Sequence, residues 1–409
     1  MRSIASRMSV MSGEGALSVF ARAKELEAQG RSIIHLELGE PDFHPGQSVI
    51  DSAARALAEG KDRYCNVVGV PALRGEIAAY LARTRSIQVS PENIVIAPGC
   101  KIALFQSMMA LLEPGDEVLY PDPGFPGYAS IALGLGAVPV PFTLSARNHL
   151  QPDIAEVASK ITPRTRMLLT NSPGNPTGTV YTDAVQRALA ELAVKHDLWV
   201  LSDEIYARIL YGGEYLSMLR YPGMAERTLI IDGFSKSFAM TGWRLGYTVA
   251  PPEVVPALAM MVVNTYTCVT EFTQYAAIEA LRDREGNTPR MVAEFARRGE
   301  QFARDLNRVS GFRCLPPEGA FYAWVDITGT GMTAEDLCRI LLEDAGVAAI
   351  PGAAFGGAGK DFIRFSFASS MATLTEAVER IQKVSTAWQG SAAKIFTTGD
   401  TGSHRGILL

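Results

Sequence analysis

The sequence predicts an α/β protein: a mostly parallel sheet covered on both faces, joined to a smaller α+β domain. Three observations carry this. Seven short, nearly all-apolar runs alternate with stretches of helical periodicity, and turn residues bound each run. From about Glu253 the pattern shifts to longer, charged helices with few strands between them. The 409 residues are enough for a large core and more than one domain.

Leu17–Gln29 has the apolar spacing of a helix and stops at Gly30, a usual C-cap. Ile33–Leu38 reads as a strand, and Val49–Ala58, Pro71–Thr84 and Ala103–Leu112 read as helices. The seven runs are Asn93–Ala97, Glu117–Tyr120, Ala137–Pro141, Met167–Thr170, Trp199–Ser202, Thr228–Asp232 and Leu245–Ala250. Such apolar strands suit a sheet buried on both faces. The later part reads as helix Arg290–Val309, strand Phe321–Asp326, helix Ala334–Ala345, strand Phe362–Phe367 and a final helix ending near Trp388. The expected division is an amino-terminal arm over 1–45 joining the small domain, a large domain over 46–285 and the small domain over 286–390. Beyond Gly390 the chain turns polar and rich in Gly, Ser and Thr, so 391–409 is expected to be a flexible tail.

Composition narrows the partners. The formal net charge is -5, and no basic run is interleaved with aromatics, which argues against nucleic acid. The 5 cysteines (Cys65, Cys100, Cys268, Cys314 and Cys338) are odd in number and lack CxxC spacing. Free thiols in a reducing, cytoplasmic compartment fit better than a disulfide framework or zinc site. No HExxH or similar ligand pair exists, so no metal is expected. Met1 to Gly15 has no apolar core of a secretory signal. The most apolar stretch, Val254 to Val263, is interrupted by Pro256 and is too short to span a membrane.

Chemistry gathers at strand ends. Lys236 follows strand Thr228–Asp232, flanked by Phe234 and Phe238 and followed by Thr241-Gly242-Trp243-Arg244. A lone lysine reads as a solvated loop residue. In an apolar, cation-rich pocket its pKa falls, which favours Schiff-base chemistry. Asp203 ends the run Trp199–Ser202, where an open parallel sheet faces its ligand crevice. It reads either as a partner for a cationic ring nitrogen or as a turn carboxylate. Tyr206 would enter the same crevice. Asn171 to Gly178 forms a turn-rich loop after another strand. Gly99, between a strand and a helix, leaves amide donors suited to a phosphate or makes an ordinary turn. Together these supply an amine, a carboxylate, amide donors and an arginine.

Gly39-Glu40-Pro41-Asp42-Phe43, Asn175-Pro176-Thr177-Gly178, Ser202-Asp203-Glu204-Ile205-Tyr206, Ser235-Lys236-Ser237-Phe238 and Trp243-Arg244-Leu245-Gly246 resemble the class I/II aminotransferases, fold-type I pyridoxal 5'-phosphate (PLP) enzymes. The resemblance runs from about Arg7 to Gln389, and Ser6-Arg7 resembles the family's amino-terminal arm, which sets a transit peptide aside. It implies a seven-stranded large domain, PLP as cofactor, a homodimer with shared active sites, and an amino acid and a 2-oxo acid as small-molecule substrates. Lys236 would bond the cofactor and move the substrate's α-proton. Asp203 would keep the ring nitrogen protonated, Tyr206 and Asn175 would bind the phenolic oxygen, and Phe125 would stack on the ring. Gly99, Cys100, Lys101, Ser235 and Arg244 would hold the phosphate, joined by Tyr64 of the neighbouring subunit. Arg364 would grip the substrate α-carboxylate, helped by Asn175 and Gly39.

Some residues depart from the family pattern. Tyr64-Cys65-Asn66 stands where the family often has Tyr-Thr-Pro, and Phe125 replaces a larger ring. Lys101 resembles a lysine used for acidic substrates, but Ala16 stands where its hydroxyl companion is expected. The expected activity is ping-pong transamination, with an acidic or aromatic donor. The alternatives on the same scaffold are β-elimination of a sulfur amino acid and ring closure of an activated methionine. A transcription regulator would need a basic helix-turn-helix domain, for which a match beginning near Arg7 leaves no space. Arg364 on the small domain and Lys236 on the large one imply domain closure on substrate binding.

Overall fold

The computed structural model describes residues 3–13, 15–283 and 286–397. Its large sheet has seven strands in the spatial order Ile94–Ala97, Gly246–Val249, Thr228–Gly233, Trp199–Asp203, Thr165–Asn171, Glu117–Asp122, Val138–Thr143. Gly246–Val249 runs antiparallel to both neighbours, and the other pairings are parallel. Every residue of Ile94–Ala97 and of Thr228–Gly233 is buried, as strands covered on both faces must be.

Register brings chemistry to one edge. Asn171 pairs with Asp203, and Gly246 pairs with both Gly233 and Ala97. The helix Cys100–Leu111 starts directly on that edge. A Cβ on Gly246 would meet the Cys100 nitrogen at 2.8 Å, and one on Gly233 would meet Cys100 Sγ at 2.8 Å. Glycine at these positions lets the helix begin against the strand ends.

The second sheet has four antiparallel strands in the order Ile350–Pro351, Phe362–Ser366, Tyr322–Asp326, Arg313–Cys314. Phe295 and Phe302 of helix Asn287–Leu306 pack in one core with Phe321, Phe365 and Ile381. The expected strand Ile33–Leu38 is shorter: only Ile34–His35 forms a strand, parallel to Val347–Ala348. Leu36 still bonds on both sides, to Ala348 and to Ser366, before the chain turns toward the large sheet. The last helix extends past its expected end near Trp388 into the expected tail over 391–409. The last helix, Met371–Thr397, runs through Gly390. The rest of that tail, 398–409, lies outside the described residues. Among the described residues no helix is long and apolar enough to cross a membrane, and no cluster of His, Cys, Asp and Glu could hold a metal.

A buried ion network locks the sheet edge. Arg85, at the end of helix Pro71–Arg85, donates to Glu204 Oε2 at 2.5 Å and to Asp232 Oδ2. Asp232 also accepts from Tyr247 Oη at 2.8 Å, and Glu204 Oε1 accepts from Ser202 and Ser217. All three charges are essentially inaccessible to water. Removing the cation strands two buried carboxylates, so Arg85→Ala is expected to cost about 3–5 kcal/mol in urea unfolding. A loss within about 0.5 kcal/mol, typical of a surface change, would contradict this role.

Candidate active site

A cavity of about 420 Å³ opens at the carboxyl edge of the large sheet, and Arg364 of the four-stranded sheet closes its far wall. The turn after strand Thr228–Gly233 delivers Ser235 and Lys236 to its floor. Ser235 is buried, and Lys236 Nζ donates to the Gly39 carbonyl at 2.5 Å. A Cβ on Gly39 would lie 2.3 Å from Tyr322 Oη, so only glycine lets this backbone approach.

Asp203 ends strand Trp199–Asp203 with its side chain at the cavity wall. Burial pushes its carboxyl up to about 6, against hydrogen bonds that favour the anion. Those come from Tyr128 Oη to Oδ2 at 2.7 Å and from the Ile205 N–H to Oδ1 at 3.3 Å. Tyr206 is buried, with its hydroxyl 2.7 Å from that of Tyr322. Desolvation pushes the Tyr206 phenol well above its usual value.

The loop after strand Thr165–Asn171 is held by its own strand end. Asn171 Oδ1 accepts from the Asn175 N–H at 2.9 Å, and Asn171 Nδ2 donates to the Asp203 carbonyl at 3.1 Å. Asn175 Oδ1 in turn accepts from Arg364 Nη1 at 3.0 Å. Arg364 is buried, donates through Nη2 to the Glu37 carbonyl at 2.5 Å, and its Cζ lies over the rings of Tyr322 and Phe355, 4.5 and 4.7 Å from their centroids. A guanidinium packed against two rings and held by two hydrogen bonds is fixed for planar recognition of a carboxylate.

On the opposite wall, Phe125 packs edge-on against Tyr128, and Lys101 Nζ lies 5.6 Å from the Phe125 ring. Gly99 caps helix Cys100–Leu111 at φ 92° with no side chain, and the first-turn amides of a helix have no partner within it. A Cβ on Gly99 would lie 2.5 Å from Arg244 Nη2 and 3.0 Å from its Cζ. Arg244 is itself fixed by a bond to the Thr241 carbonyl at 2.9 Å. The result is a concave donor surface of backbone and guanidinium. Cys100 and Lys101 also line the cavity.

Tyr64 is the residue that one chain does not bring in. It lies outside the cavity wall, 85% exposed. Sequence reasoning also missed Tyr128, Tyr322, Phe355 and the carbonyl of Glu37. Each arrives by packing from another element, and no local motif marks it.

Residues 31–381 match the model of the family described as aminotransferase class I and II. The chain belongs to the class I and II aminotransferases. It is 39% identical over 390 residues to an aspartate/prephenate aminotransferase of Thermus thermophilus, covering 94% of this chain and 99% of that one. It is 35% identical to an asparagine–oxo-acid transaminase of Streptococcus mutans, covering 93% and 99%. Among solved structures, aspartate aminotransferase from Thermus thermophilus with maleate superposes with a TM-score of 0.89 at 38% identity, covering 94% and 100%. The enzyme is an aminotransferase of fold-type I, and its cofactor is PLP. These relatives carry transaminase names, which gives the β-elimination alternative no support.

The cavity of this aminotransferase fits PLP. The donor surface at Gly99 and Arg244 suits a phosphate, Asp203 suits a protonated ring nitrogen, and Lys236 is the amine beside them. Gly99→Ala places a side chain where backbone strain is of order 1–3 kcal/mol and crowds Arg244, so PLP affinity is expected to fall roughly tenfold or more in a fluorescence titration. Unchanged affinity would show that the phosphate lies elsewhere.

His35 bonds the side chain of Glu37, whose carbonyl accepts from Arg364. Its Nδ1 and Nε2 lie 2.7 Å from Glu37 Oε1 and 3.0 Å from Glu27 Oε1. Burial opposes the ring's charge, but the two carboxylates outweigh it and raise the His35 pKa. The stability this contributes is complete below the unfolded value near about 6.5 and is lost as pH rises through the folded one. The urea-midpoint gap between wild type and His35→Gln is therefore expected to be wider at acid than at alkaline pH. A gap independent of pH would show that His35 carries no extra proton.

Proposed function

We propose that this aminotransferase takes an acidic L-amino acid of aspartate's class as donor and passes its amino group to a 2-oxo acid in a ping-pong cycle. One observation carries the reading: two cations, Arg364 and Lys101, line the same cavity on walls from different elements. A dicarboxylate can engage Arg364 with its α-carboxylate and Lys101 with its distal one. The name aspartate/prephenate aminotransferase of the Thermus relative and the maleate in the Thermus structure support this choice. Ala16, which lines the cavity, adds a methyl group where a hydroxyl would help an acid, so Lys101 carries the distal charge.

When bound, PLP supplies an aldehyde that takes up the amino group and a protonated ring that draws electrons from the substrate α-carbon. The residues around it then divide the work. Gly99, Cys100 and Lys101 offer backbone amides to the phosphate, with Ser235 and Arg244 beside them. Asp203 holds a proton on the ring nitrogen, and Tyr128 keeps the Asp203 carboxylate in place. Tyr206 and Asn175 would bind the phenolic oxygen, and Phe125 would stack on the ring. Lys236 Nζ takes the proton from the substrate α-carbon and returns it. Gly39 and Asn175 complete the carboxylate site of Arg364.

The exposed Tyr64 supports a homodimer in which each subunit lends this tyrosine to its neighbour's phosphate site. Residues 46–285 would form the large domain, and 286–390 with the arm over 1–45 the small one. Since Arg364 and Lys236 belong to different sheets, carboxylate binding would draw these bodies together and exclude water. We place the enzyme in the cytoplasm, a compartment that suits its lack of a structural disulfide among the described residues.

Mixing the holoenzyme with single amino acids, without acceptor, tests the donor. Aspartate is expected to remove the cofactor's visible band fastest and to release one equivalent of 2-oxo acid per site. Lys101→Ala is expected to lower kcat/KM for aspartate roughly 10- to 100-fold, the scale of a charge-assisted bond, and leave alanine little changed. Equal losses for both donors would overturn the acidic-donor reading. Lys236→Ala is expected to bind PLP through phosphate and ring contacts yet lose turnover. Full activity in that variant would overturn the assignment of Lys236.

A further inference from the structure

Outside the cavity, two cysteines meet. Cys65 lies in the loop between helices Gln47–Ala58 and Pro71–Arg85, next to Tyr64. Cys268 lies in the turn between helices Val255–Thr265 and Glu271–Arg282, one residue after Thr267 at φ 65°. The Cys65 N–H donates to Cys268 Sγ at 3.4 Å. Cys65 Sγ also donates to the Val269 carbonyl at 3.4 Å and accepts from Gln274 Nε2 at 3.3 Å. Both cysteines are partly exposed, whereas Cys314 and Cys338 are buried and Cys100 lines the cavity.

We propose that Cys65 and Cys268 are a modification site: they form a reversible disulfide when the enzyme meets a low-molecular-weight disulfide. With Cys268 Sγ against the Cys65 backbone and Cys65 Sγ held by Gln274 and Val269, the two side chains are neighbours, as a disulfide requires. Desolvation, with Cys268 alongside, pushes the Cys65 thiol up to about 11, which disfavours Cys65 as the opening nucleophile. Cys268 attacks one sulfur of oxidised glutathione and expels a first glutathione thiolate, which takes up the Cys65 proton. Cys65 then attacks the Cys268 sulfur and expels the second glutathione. Two protein thiols are oxidised and one small disulfide is reduced, with no net electrons left over.

The bridge would re-anchor the loop that carries Tyr64. Gln274 holds this loop through Cys65 and, by its Oε1, through the Val70 N–H at 2.8 Å. Bonding the sulfurs takes the Cys65 thiol from Gln274 and Val269. A consequence for the cofactor rests on the proposed reach of Tyr64 to a neighbouring phosphate.

The test treats holoenzyme with oxidised glutathione and counts thiols in denaturant. The count is expected to fall from five to three per chain, with one peptide pair joined through Cys65 and Cys268, and a dithiol should restore all five. Cys65→Ser should stop with glutathione on Cys268, and in Cys268→Ser neither partner position should be modified. An unchanged count of five, a bridge between other cysteines, or two thiols lost in Cys268→Ser would overturn the proposal. PLP release by the bridged enzyme is expected to be several-fold faster. Bridging with unchanged release would support the disulfide and count against the reach of Tyr64, so the two failures are distinguishable.

Discussion

A carboxylate at a buried strand end asks for a positive partner. Asp203 is pushed up to about 6 by burial, even though Tyr128 and the Ile205 N–H both favour its anion. Neutral donors do not offset the desolvation. A protonated ring nitrogen would, and the surrounding walls are arranged to bring one there. Phe125 and Tyr128 shape the side, Lys236 stands within the same cavity, and Gly99 leaves Arg244 room at the helix start. The sheet edge pays the polar cost elsewhere, since the network of Arg85, Glu204 and Asp232 is internally paired.

The site is also a joint between two sheets. Arg364 comes from the four-stranded sheet but bonds Asn175 from a large-sheet loop and the Glu37 carbonyl from the amino-terminal segment. Lys236 bonds the Gly39 carbonyl from that same segment. The short stretch from Glu37 to Gly39 therefore touches both the residue proposed to hold substrate and the residue proposed to move its proton. Movement of one sheet against the other would be felt at both.

How much was legible in the sequence follows from how each residue reaches the site. Asp203, Asn175, Ser235, Lys236 and Gly99 lie at or just after strand ends, so reading the apolar runs was enough to bring them to one edge. Arg244 and Arg364 were found through motif resemblance, and the structure places both in the cavity wall. Tyr128 and Tyr322 were not legible, because their hydroxyls meet Asp203 and Tyr206 across gaps of 75 and 116 residues. Phe355 packs on Arg364 from a glycine-rich turn with no pattern of its own. The strand over Ile33–Leu38 was overdrawn because apolar alternation continues after the pairing partner ends at Ala348. The helix running to Thr397 was missed because Gly390 reads as a stop and, in place, is not one.

The charge given to Asp203 can be measured at the atom it faces. The ¹⁵N chemical shift of labelled PLP bound to the wild type and to Asp203→Asn reports whether the ring nitrogen carries a proton. A protonated nitrogen in the wild type and an unprotonated one in Asp203→Asn at neutral pH is the expected result. The same protonated nitrogen in both proteins would contradict the role of Asp203, and with it the reason for the arrangement of the site around it.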